Sequence, residues 1–193
     1  MYRLRELERQ DMLVINSWRN DKDIIDQLGA TFRYINQDVD DEWFSNYMRS
    51  RDSAVRCSIL ADDTVIGLVS LTGINQLNQS AEFHIMIGNA EYQGKGAGTF
   101  AVNEILNHAF NNLNLHRVEL TVLTTNDRAM KLYEKSGFKR EGMLRQVYYK
   151  NGSFADAYMY SILKDEYMNI CSGGGTTLRI IFISAPQHER WCA

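Results

Sequence analysis

Proline is almost missing from this 193-residue chain, Pro186 being its one example, so no proline-rich linker divides it. Cysteine is scarce too. Cys57, Cys171 and Cys192 are widely spaced and odd in number, which excludes a disulfide framework and a zinc site and points to the reducing cytosol. The four histidines lack ligand spacing, so no metal is expected. No apolar run approaches the roughly 20 residues of a membrane span, and the polar N-terminus shows no signal peptide, so no membrane partner is expected. With 21 Lys and Arg against 24 Asp and Glu there is no basic excess, which argues against nucleic acid as a partner. What remains has 45% apolar and 23% charged residues, ordinary for one globular domain large enough to bury a core.

The informative stretch is Ser80 to Leu113. Ala81, Phe83, Ile85 and Ile87 alternate with Glu82, His84 and Met86, the period-2 pattern of a half-buried strand. Gln93-Gly94-Lys95-Gly96-Ala97-Gly98 follows as a glycine-rich turn. Val102, Ile105, Leu106, Ala109, Phe110 and Leu113 then recur on one helical face. Glycines let successive backbone N–H groups converge, and a helix N-terminus adds partial positive charge, so strand, loop and helix together suit a phosphate, with Lys95 adding a full charge. The Walker spacing fails because Asn89 stands five positions before Gly94 and Gly96 follows Lys95. The dinucleotide spacing fails at Thr99, where a third glycine belongs. Gln93-x-x-Gly96-x-Gly98 does fit Q/R-x-x-G-x-G/A.

Elsewhere, Tyr2 and Leu4 open a first strand, and Asp11 is expected to cap a helix through Met12, Leu13, Ile15 and Trp18. A second helical piece around Ile24, Ile25 and Leu28 is expected to stop at Gly29. Asp38 to Met48 reads as a helix with Val39, Trp43 and Tyr47 on one face. Its Asp38, Asp40, Asp41 and Glu42 either complement the helix dipole or form an acidic rim for a cationic substrate. Val55–Ala61 and Thr64–Thr72 flank a turn at Asp62-Asp63, and Gly67 marks a bulge or a close backbone approach. Val118, Leu120 and Val122 form another strand. Asn126 then starts a helix through Ala129, Met130, Leu132 and Tyr133, ended by Gly137. Phe138–Met143 and Phe154–Leu163 are the last strands, turning at Lys150-Asn151-Gly152. Ser172-Gly173-Gly174-Gly175 reads as a flexible linker to an apolar run, Leu178–Ile183.

Four features in this order resemble the GNAT N-acetyltransferases: the glycine loop; Leu115-His116-Arg117-Val118-Glu119-Leu120; Thr125-Asn126 through Gly137-Phe138; and Arg140-Glu141-Gly142. The branch resembled holds ribosomal-protein N-terminal, spermidine and nucleotide-amino-sugar acetyltransferases. The resemblance spans residues 1–167, leaving 168–193 as an extension of unknown role. It implies an α/β (α+β) fold whose mixed, mostly antiparallel central sheet splays at the acetyl-CoA site, with helices on both faces.

The implied reaction is acetyl transfer from acetyl-CoA to a primary amine by direct attack in a ternary complex. The resemblance places the cosubstrate on Ile85, Met86, Ile87, Gln93, Gly94, Lys95, Gly96, Ala97, Gly98, Thr99, Asn126, Lys131 and Tyr133. A backbone N–H at Ile87 or its neighbour would polarise the thioester carbonyl. Tyr133 matches the tyrosine that protonates the departing thiolate, although the same residue would also serve as a core aromatic, and Asn126 as a plain helix cap. An alkylamine with a pKa near ~10 must lose a proton to attack. Glu82 is the first candidate for that base and His84 the second, while His116 reads as structural. The acceptor is a small polar amine, a polyamine such as spermidine or an amino sugar. The alternatives are a protein N-terminus, as on a ribosomal protein, and a non-catalytic acyl-CoA-binding module. The expected setting is cytoplasmic, as a homodimer or higher homo-oligomer.

Overall fold

A computed structural model describes residues 1–173 of the chain. Strands β1 (Tyr2–Glu6), β2 (Val55–Ala61), β3 (Thr64–Asn75), β4 (Ser80–Ile87), β5 (Arg117–Leu123), β6 (Lys139–Lys150) and β7 (Ser153–Leu163) form one sheet in the order β1-β2-β3-β4-β5-β7-β6. Every neighbouring pair is antiparallel except β4 and β5. That exception shapes the molecule. The parallel ladder joins only Ser80, Ala81 and Glu82 to Arg117, Val118 and Glu119. Beyond it β4 continues along β3 to Ile87 and β5 continues along β7 to Leu123, so the two strands part in the middle of the sheet.

Helices cover both faces. On one face α4 (Ala97–Asn107) and its extension through Phe110 press Val102, Ile105, Leu106 and Phe110 onto Ile59, Val69, Leu71 and Phe83. These α4 residues lie on one side because their spacing follows the helical repeat. The opposite face carries α1 (Met12–Arg19), α2 (Lys22–Asp26) and α3 (Gln37–Arg49), whose Met12, Ile15, Trp18, Phe44 and Tyr47 pack toward Leu68 and Met86. Helix α5 (Asp127–Lys135) follows β5, and α6 (Lys164–Gly173) follows β7. Arg117 on β5 grips Glu141 on β6 with two hydrogen bonds of 2.7 and 2.6 Å, reaching across β7, where Ser161 also donates to Glu141. This clamp joins two of the four sequence features named above, Leu115–Leu120 and Arg140–Gly142.

Several expectations need correction. Asp11 makes no side-chain cap to α1. It is buried instead, accepting from Arg5, the Glu8 backbone N–H and Ser58. Helix α2 ends before Gly29, which lies against the ring of Tyr148. Asp40 is fully buried, ion-paired to Arg19 and bonded by Asn16, so it is no part of an acidic rim. It shares an inward face with Phe44 and Tyr47, whereas Val39 is exposed. Strand β6 runs on to Lys150, well past Met143, bending where Gln146 takes a positive φ. Helix α6 crosses residue 167 and includes Ser172 and Gly173, which read as linker. The apolar run Leu178–Ile183 lies outside the described residues. Gly67 behaves both ways foreseen: the register shifts opposite it between Ile59 and Leu60, and a Cβ there would sit 2.5 Å from the Met86 carbonyl.

Candidate active site

The parting of β4 and β5 opens a cleft of about 970 Å³. It runs from the glycine loop, between the two strands, to the face carrying α1 and α3. Ile85, Met86, Ile87, Gln93, Gly94, Gly96, Gly98, Thr99, Asn126, Lys131 and Tyr133 all line it, as do Glu82 and His84. Two expected members do not. Ala97 is buried in the core, and the Lys95 side chain lies beside the Tyr92 ring while its carbonyl accepts from Tyr2.

The loop is shaped for close approach. Gly94 and Gly96 have φ of +76° and +89°, and a Cβ on either would project into open space. The left-handed backbone favours glycine, and the free space beside the α4 N-terminus is where an anionic group can be cradled. Gln93 ties the loop down, donating to the Ile87 carbonyl at 3.0 Å and accepting from Arg128 at 2.9 Å. Arg128 and Lys135 join Lys131 along the cleft from α5. The sequence reading missed both, although Arg128 is two residues beyond Asn126, in the first turn of the same helix.

Asn126 is the N-cap of α5, accepting from the Ala129 N–H at 3.1 Å, and its amide donates to the Gln27 carbonyl at 2.9 Å. It thereby ties α5 to the loop after α2. About two helical turns further, Tyr133 is 7% exposed, with its ring against Phe83, Phe138 and Tyr160. Its hydroxyl makes no hydrogen bond among the described residues. Burial pushes the phenol well above its ordinary range, so it stays protonated at neutral pH and can act only as a proton donor.

At the far end of the cleft, Glu82 and His84 point to one side of β4, with side chains 47% and 49% exposed. His84 Nε2 lies 2.9 Å from Thr72 Oγ1 and 3.6 Å from Glu82 Oε2. Arg56 of β2 also lines the cleft, its guanidinium 4.6 Å above the Trp43 ring and its buried Nε without a partner among the described residues. Burial lowers its pKa. Glu82 is the one acid lining the cleft among the described residues. The wall formed by residues 27–30 is held from below. Lys150 donates to the carbonyls of Ile25, Leu28 and Ala30 at 2.7, 2.6 and 2.8 Å, and Tyr148 bonds Thr121 at 2.7 Å. Arg56, Tyr148 and Lys150 carried no sequence signal, because register and a long-range hairpin bring them here.

Comparison with known proteins agrees with this geometry. The family model for the acetyltransferase (GNAT) domain matches residues 2–139. The spermidine N(1)-acetyltransferase of Vibrio cholerae is 36% identical over 168 residues, covering 86% of this chain and 95% of that protein. That of Escherichia coli K12 is 31% identical over 182 residues, covering 91% and 93%. The crystal structure of the Vibrio enzyme in complex with CoA and spermine superposes with a TM-score of 0.81 at 34% identity, covering 87% of this chain and 98% of that one.

Proposed function

The chain belongs to the GNAT acetyltransferase family and is an acetyl-CoA-dependent N-acetyltransferase; we propose that its acceptor is a polyamine, with spermidine the first candidate, acetylated at a terminal primary amine. The observation that carries this reading is the one cleft lined by the glycine loop, Tyr133 and Glu82 together. The two relatives named above are spermidine N(1)-acetyltransferases of similar length, and the Vibrio enzyme binds CoA and spermine together.

The residues present suit acetyl-CoA. The open cradle at Gly94 and Gly96, with Arg128 and Lys131 beside it, would hold phosphates, and the gap between β4 and β5 would admit the pantetheine arm. Bound there, the cosubstrate supplies an activated acetyl thioester. Backbone N–H groups at the end of β4 would polarise its carbonyl. Tyr133 would give its proton to the departing sulfur. Glu82 would attract the ammonium of the acceptor, since a carboxylate in a partly enclosed cleft favours a cation. The test is mass-spectrometric identification of products from acetyl-CoA with spermidine, amino sugars and N-terminal peptides. Monoacetylated spermidine as the dominant product is the expected result; exclusive acetylation of a sugar or peptide would reject the polyamine.

A further inference from the structure

Strands β2, β3 and β4 set a row of polar side chains at the amine end of the cleft. Thr72 pairs with Glu82 and Ser70 with His84, while Arg56 pairs with Ser70 from the next strand. The His84 ring is engaged through one nitrogen only. Nε2 faces Thr72 and the Glu82 carboxylate, and Nδ1 has no hydrogen-bond partner among the described residues. In the tautomer whose Nε2–H donates to Thr72 Oγ1, with the Glu82 carboxylate 3.6 Å away, Nδ1 keeps its lone pair, the arrangement in which imidazole serves as a base. We propose that His84, through Nδ1, accepts the proton of the incoming ammonium, and that Glu82 and Thr72 position its ring. This rests on the N-acetyltransferase reading of the cleft.

The protons balance. The ammonium loses one proton to Nδ1, and the half-exposed ring releases it to solvent. The freed lone pair forms the nitrogen–carbon bond as the carbon–sulfur bond breaks. Tyr133 protonates the sulfur, and the second proton lost by nitrogen restores Tyr133. The products are the amide, the free thiol and one proton.

The charged groups around the ring are Glu82 on its own strand, Arg56 on β2 and, beyond Arg56, Arg19 of α1, itself paired to Asp40. Burial in the cleft and the Arg56 charge hold His84 below its ordinary pKa, while Glu82 opposes them. The ring is therefore neutral and able to take a proton at pH 7.

The test is the pH dependence of kcat with spermidine, at saturating acetyl-CoA, for the parent, His84→Gln, Glu82→Gln and Arg56→Gln. The parent should lose activity on acidification with an apparent pKa below ~6.5. Arg56→Gln should move that limb to higher pH, because a charge disfavouring the protonated ring is gone. Glu82→Gln should move it to lower pH. His84→Gln should abolish the limb and lower kcat by about 10²-fold, with acetyl-CoA affinity and thermal midpoint close to those of the parent. A limb that persists in His84→Gln with full kcat, or that fails to shift in Arg56→Gln, which leaves the ring in place, overturns the assignment. Disappearance of the limb in Glu82→Gln alone would give the proton to Glu82. If the parent acetylates no primary amine, the underlying reading falls and this one with it.

Discussion

Tyr133 sits among three aromatic rings and also lines the cleft, its hydroxyl without a hydrogen-bond partner among the described residues. Both functions foreseen for it, core aromatic and acid, are thus compatible with one placement. General-acid help is typically worth ~10²–10⁴-fold, but a thiolate is a tolerable leaving group unaided. Tyr133→Phe is therefore expected to lower kcat by roughly 10- to 1000-fold, about 1.4–4 kcal/mol of barrier, with little change in acetyl-CoA affinity. Steady-state kinetics beside a melting curve checks this; full kcat with a lowered midpoint would make the hydroxyl structural. Tyr133 and Asn126 were legible because they fall inside a contiguous sequence feature. Asp40 is legible in principle: it lies four and seven residues before Phe44 and Tyr47, an inward face that the competing Val39-Trp43-Tyr47 spacing obscures. Arg56 and Lys150 were not legible, since strand alternation says which face a residue takes but not which helix or loop it meets there.

At the level of elements, the clamp between β5 and β6 and the latch under residues 27–30 each carry a test. Arg117 and Ser161 hold the Glu141 carboxyl down to about 2, from an ordinary value of 4.5. A depressed folded pKa contributes stability above the unfolded value, and that contribution fades as pH falls from about 4.5 toward about 2. Glu141→Gln should therefore lower the melting temperature most at neutral pH, and the difference from the parent should narrow through that window. Equal differences at pH 7 and pH 3 would contradict the pairing. Lys150→Met strips three carbonyls of their ammonium donor. Hydrogen bonds to charged groups contribute about 1.5–3 kcal/mol when buried, and less at this partly exposed site. The expected outcome is a raised KM for the amine with kcat nearly kept, because the loop wall loosens while Tyr133 and β4 stay in place. An unchanged KM would show that residues 27–30 hold their position without the latch. Strand β6 was half missed in the sequence for a related reason: as an exposed edge strand with a bend at Gln146, it shows no alternation to read.

For the whole molecule, the order of elements and the two-sided layering followed from periodicity and from the GNAT resemblance, and both are observed. The parting of β4 and β5 was implied by the GNAT resemblance and could not be read from periodicity. It depends on a parallel ladder three residues long between strands about thirty positions apart. That opening, with the glycine loop at its mouth, is the centre of the account, and calorimetric titration of CoA into the parent and into Gly96→Val tests it most directly. A valine at φ +89° is strained, and its side chain would fill the open cradle. With one or two charge-assisted hydrogen bonds lost, at about 1.5–3 kcal/mol each, affinity should fall by at least roughly tenfold while the unfolding transition stays cooperative. Equal CoA affinity in the two proteins, both folded, would contradict the placement of the cosubstrate and the mechanism built on it.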